Sequence, residues 1–150
     1  MHKFGLGLND AEFLFHIPAG SNRGTGSFMS GRDFAVAESL KLPVRNADQY
    51  IAALKLDKVD LIKIDVEGFE KQVLTGAAET IKKYRPILWV EISGSWNEQG
   101  CSLAALEKVL FGPYEFRIAE RTGLIVNRSK FKKIPQLPQR GVFNIFCLPK

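Results

Sequence analysis

The segment Val59-Asp60-Leu61-Ile62-Lys63-Ile64-Asp65-Val66-Glu67-Gly68-Phe69-Glu70 changes character at Asp65. Up to that point it is rich in β-branched and long aliphatic residues and nearly apolar on both faces, the pattern of a central parallel strand covered above and below by helices. Beyond it, Glu67-Gly68-Phe69-Glu70 opens a stretch in which Phe69, Val73, Leu74, Ala77 and Ile81 recur at spacings of three and four, as on the buried face of a helix. Gly76 is placed to divide that stretch into two shorter helices. Pro86 ends it, and Ile87-Leu88-Trp89-Val90-Glu91-Ile92 reads as a second buried strand, with Trp89 in the core. Strand, helix, strand in this order is a βαβ unit, which sets its two strands parallel and predicts an α/β fold.

Working outward toward the N-terminus, Leu42-Pro43-Val44-Arg45 is a short extended piece, and Asn46 is a good N-cap for a helix carrying Tyr50, Ile51 and Leu54. Residues 18–32 are rich in Gly, Ser, Asn and Arg and read as loop, with no Walker lysine-serine pair to make a phosphate loop. Before them, 2–8 and 12–17 read as two strands separated by the Asn9-Asp10 turn. Toward the C-terminus, Ser102 caps a helix with Leu103, Leu106, Val109 and Leu110 on one side, and Gly112-Pro113 stops it. Three β-like runs, 114–119, 123–127 and 142–148, then follow without a helix between them, which predicts antiparallel pairing at one edge of the sheet.

Composition sets limits on function. The 150 residues are 45% hydrophobic and 25% charged, as in one globular domain. No run approaches the roughly 20 apolar residues needed to cross a bilayer, and the first residues have no signal-peptide layout, so a cytoplasmic location without membrane insertion is expected. Cys101 and Cys147 have no metal-ligand spacing and read as reduced structural thiols. The net charge of +5 gathers in the last third, at Arg117, Arg121, Arg128, Lys130, Lys132, Lys133 and Arg140. No aromatic interleaving or nucleic-acid motif accompanies it, so it reads as a solvated basic face.

In open α/β sheets, ligands lie beyond the carboxyl ends of the parallel strands. That rule selects Asp65 and Glu67 after the first buried strand and Glu91 and Ser93 after the second, with Trp96 in the following loop as a wall for a substrate. The three carboxylates suit a general base for a hydroxyl, an orienting hydrogen bond, or oxygen ligands for a divalent cation. Glu70 reads as first-turn decoration of a helix. His2 and His16 lack the neighbours of a nucleophilic triad and read as surface or packing residues.

The Val59-to-Glu70 phrase, followed by Val73-Leu74-Thr75-Gly76-Ala77, Arg85-Pro86 and Glu91, closely resembles the FkbM methyltransferase family, whose KIDVEG-like strand end leads to an LKGA-like helix and a strand ending in Glu. Pro43 to Asp48, Gly5 to Asp10 and Val142 to Phe146 resemble other strands of that family, so the resemblance runs along essentially the whole chain. It implies a Rossmann-like methyltransferase that transfers the methyl of S-adenosylmethionine to a nucleophile, usually a hydroxyl of a small molecule or glycan. By position, Asp65 and Glu67 face the cofactor or substrate and Glu91 supports them. The family's glycine-bearing turn and the acid that binds the ribose have no counterpart in the sequence, and Gly5-x-Gly7 opens no helix. The expectation is therefore a methyltransferase domain without its cofactor-binding half, completed by another segment or by a second copy. The alternative is a non-catalytic α/β binding module derived from such an enzyme. A phosphodiesterase of the EAL type lacks its Glu-Ala-Leu motif here, and a nicotinamide enzyme lacks its fingerprint glycines.

Overall fold

The computed structural model describes residues 2–19, 26–28, 35–92, 106–108, 110, 114–122, 128–136 and 142–150. They belong to two compact units, Met1–Asp57 with Val66–Thr80, and Lys58–Asp65 with Ile81–Lys150.

The first unit is built on a three-stranded sheet in the order β1 (Gly5–Gly7), β3 (Val36–Asn46), β2 (Ala11–Pro18). Strand β1 runs parallel to β3, whereas β2 pairs with it antiparallel from Ala11↔Val44 onward. The extended piece expected at Leu42 to Arg45 is therefore the end of an 11-residue strand. Its first half is exposed and has little apolar signal of its own; pairing with β2 supplies the order. Asn46 caps helix α1 (Ala47–Ala53) by accepting a hydrogen bond from the Gln49 N–H at 2.9 Å, as its side chain predicts.

Helix α2 (Glu70–Gly76) lies on β1, and the approach is close enough to need glycine on both sides. A Cβ on Gly76 would stand 1.9 Å from the Gly7 carbonyl oxygen, and one on Gly7 would stand 2.8 Å from Val44 Cγ1 and 3.1 Å from Phe69 Cε1. The expected break at Gly76 is present, since α3 (Ala78–Tyr84) follows after Ala77. Its first turn is capped from α1, where the Asp48 carboxylate accepts the N–H groups of Glu79 at 2.9 Å and Thr80 at 2.7 Å. Rings of Phe13, Phe28 and Phe69 meet edge-on or tilted with centroids 5.1 to 6.1 Å apart, and Phe69 is buried.

The second unit holds a five-stranded sheet in the order β4 (Leu61–Ile64), β5 (Ile87–Ile92), β8 (Phe143–Pro149), β6 (Tyr114–Thr122), β7 (Arg128–Lys133). Only β4 and β5 are parallel; the C-terminal strands pair antiparallel, as their helix-free spacing predicts. The central position expected for β4 is corrected, because it forms one edge of this sheet and Leu61 is 53% exposed. A run apolar on both faces specifies a strand but not its neighbours. At the other edge, Arg128–Lys133 is a strand, with Lys130, Lys132 and Lys133 exposed; charge on an edge strand deters pairing with other chains. The run expected at 123–127 lies outside the described residues. Within the expected C-terminal helix, residues 106–108 are helical, and Leu106 and Leu110 are fully buried.

Alternation divides the sheet into two faces. Ile64, Leu88, Val90, Ile92, Ile145, Cys147 and Phe116 form the buried face. The register sets Lys63, Trp89, Phe146, Arg117 and Lys133 in one row across the opposite face. Trp89 is half-buried on that row, so the core position read from its strand is corrected: the buried period runs through Leu88 and Val90.

Candidate functional site

Parallel pairing of Lys63 with Trp89 and of Ile64 with Val90 makes the carboxyl ends of β4 and β5 adjacent. Asp65 follows the last residue of β4, and Glu91 is one residue beyond the partner of Ile64. Their carboxylate oxygens come within 4.8 Å of each other. They are two of the three acids that the strand-end rule selects.

Each acid is held by a residue on the same sheet face. Lys63 Nζ lies 2.6 Å from Asp65 Oδ2, with the Asp65 side chain 34% exposed, and the same ammonium sits 5.4 Å from the centroid of the Trp89 ring. Asn144, opposite Glu91 in β8, donates from Nδ2 to Glu91 Oε2 at 3.4 Å, while its Oδ1 accepts the Trp89 indole N–H. The amide thereby links Trp89 to Glu91. Phe146 lies against Trp89 at 5.3 Å between centroids and Phe131 against Phe146 at 4.8 Å, giving the acids an aromatic flank. Lys63 was legible as a neighbour, since residues two apart in a strand share a face. Nothing in the sequence marked Asn144, which is 53 residues from Glu91 and reaches it only through antiparallel pairing.

Glu67 belongs to the first unit, where it forms a turn. The Phe69 N–H bonds the Val66 carbonyl at 3.3 Å, and the two central residues, Glu67 at φ 52° and Gly68 at φ 104°, both have positive φ, as in a type I′ turn. A side chain at Gly68 would strain this backbone; at Glu67 the left-handed conformation is supported by Ser27 Oγ, which donates to the Glu67 carbonyl at 2.6 Å. The helix therefore starts at Glu70, three residues later than the sequence suggests. Glu70 is 1% exposed and accepts the Gly68 N–H at 2.9 Å, so it ties the turn to the helix and is no surface decoration. Ser93 and Trp96 lie outside the described residues, as does Cys101.

Cys147, His2 and His16 have structural surroundings. Burial pushes the Cys147 thiol up to about 12, which makes it an inert thiol. His2 bonds the Tyr50 hydroxyl, and His16 Nδ1 lies 2.9 Å from Ser39 Oγ, in keeping with surface and packing roles.

The resemblance implies S-adenosylmethionine, whose adenosine and methionine ends would need a close backbone approach at glycine. Three of the described glycines have no such room. The space beside Gly7 is filled by Val44 and Phe69, that beside Gly76 by the Gly7 backbone, and that beside Gly26 by the Phe15 ring at 2.5 Å.

A family model described as Methyltransferase FkbM domain matches residues 2–138. Comparison with curated proteins and with solved structures returned no match. Among the described residues, no helix is long and apolar enough to cross a membrane.

Proposed function

Because the chain belongs to the FkbM methyltransferase family, we propose that it provides the acceptor half of an S-adenosylmethionine-dependent O-methyltransferase acting on a hydroxyl of a small molecule or glycan. The observation that carries this reading is the Asp65 and Glu91 pair at adjacent strand ends, each positioned by its own partner. The chemistry the cofactor supplies when bound is an electrophilic methyl group.

A hydroxyl is a weak nucleophile until its proton is drawn away. With Oδ2 engaged by Lys63, Asp65 presents Oδ1 to accept the hydrogen bond of the reacting hydroxyl and then its proton, a contribution of about 10²- to 10⁴-fold. Lys63 keeps the carboxylate in one orientation. Glu91, steadied by Asn144, accepts a hydrogen bond from a neighbouring hydroxyl, which favours acceptors with two adjacent hydroxyls. Trp89 and Phe146 give an apolar flank for the carbon skeleton. Glu67 lies in the turn between β4 and α2 in the sequence.

The test is the identity of the product. A protein containing these residues together with a glycine-bearing cofactor turn is given methyl-labelled S-adenosylmethionine and a panel of polyols, amines and thiols. Label recovered in an O-methyl ether supports the reading; label only on nitrogen or sulfur overturns it.

A further inference from the structure

A concavity lies in the first unit, and nothing in the methyl-transfer reading uses it. It measures about 270 Å³ and is lined by Phe4, Asp10, Arg45, Asn46, Gln49 and Tyr50. That is slightly below the usual range for ligand pockets, roughly 300 to 1,000 Å³, so it suits one ring with one polar substituent.

Its walls are fixed by internal contacts. Phe4 and Tyr50 meet edge to face with centroids 4.9 Å apart, and the Tyr50 hydroxyl lies 2.9 Å from His2 Nε2. Asp10 has both oxygens engaged, Oδ1 by the Asn46 N–H at 2.7 Å and Oδ2 by Arg45 Nη1 at 3.0 Å. These two bonds and the Arg45 charge hold its carboxyl below the ordinary range, so the pair stays ionised and its net charge is zero. Among the described residues, Arg45 is engaged only through Nη1, which leaves donors on Nη2 and Nε, and the exposed Gln49 side-chain amide supplies one donor group and one acceptor.

Two aromatic rings, donors from a charge-balanced guanidinium and an amide define the ligand. We propose that this concavity binds an uncharged aromatic amide, its ring against Phe4 and Tyr50, its carbonyl oxygen on Arg45 and its amide paired with Gln49. An anion gains little from an Arg45 already balanced by Asp10, and a puckered ring loses the flat contact with the aromatic walls.

The inference does not depend on methyl transfer, and its test reads no turnover. Benzamide is titrated into the 150-residue chain and backbone amide shifts of Asn46, Gln49 and Tyr50 are followed by NMR. Saturable shifts are expected with Kd on the order of 1 mM, with benzoate and cyclohexanecarboxamide each at least fivefold weaker. Gln49→Ala, an exposed change that leaves the fold intact, is expected to weaken benzamide at least threefold. Absence of saturable shifts, equal binding of either control, or unchanged affinity in Gln49→Ala overturns the proposal.

Discussion

Replacing Gly76 by alanine sets two physical effects against each other, and the structure says which wins. On helix propensity alone, Gly76→Ala should stabilise α2 by about 1 kcal/mol. The added methyl would stand 1.9 Å from the Gly7 carbonyl oxygen, 2.4 Å from its carbon and 2.9 Å from Leu8 Cα. All three are backbone atoms, and β1 is pinned by its parallel pairing with β3, so no side chain can swing aside. Relief requires α2 and β1 to part by more than 1 Å, opening the packing of Phe69, at the start of α2, beside Gly7. Overpacking typically costs about 1 to 3 kcal/mol, and a clash with backbone on both sides belongs at the upper end, leaving a net loss of roughly 2 kcal/mol once the propensity gain is subtracted. Urea unfolding followed by circular dichroism measures it as a lower midpoint at unchanged slope. An unchanged or higher midpoint would show that α2 and β1 are not packed as described.

Two further outcomes follow from named groups. Asp10, whose ordinary pKa is 3.8, is held lower in the fold by the Asn46 N–H and Arg45; a depressed folded value gives stability above the unfolded pKa that is lost as pH falls through the folded one. Asp10→Asn should therefore lower the melting temperature at pH 7 and make progressively less difference as pH falls below about 4, read by thermal melts across pH. With its thiol at about 12, Cys147 should resist iodoacetamide at pH 8 in the folded chain and react in urea, as peptide mass mapping would show.

How much of this was legible before the coordinates depended on the range of the interaction. The alternation and helical spacing of residues 59–92 are local signals, and they placed β4, α2, α3 and β5, along with Asp65 and Glu91 at neighbouring strand ends. The Asn46 cap was equally local. What depended on distant partners was not legible: the edge position of β4, the full length of β3, the half-buried row through Trp89, and Asn144 opposite Glu91. Gly68 and Gly76 were readable as family letters, but their reasons are a turn with two positive φ angles and a backbone contact with β1. Glu70 misled because a first-turn acid has the same sequence signature whether it faces water or bonds the preceding turn.

The central claim is that Asp65 takes the proton of the acceptor hydroxyl. Asp65→Asn keeps the shape and removes the base, so the most direct measurement is its steady-state methyl transfer beside that of the parent protein, both joined to a cofactor turn. The account predicts kcat lower by about 10²- to 10⁴-fold with the unfolding midpoint and the KM for S-adenosylmethionine unchanged. A kcat equal to the parent's would contradict it.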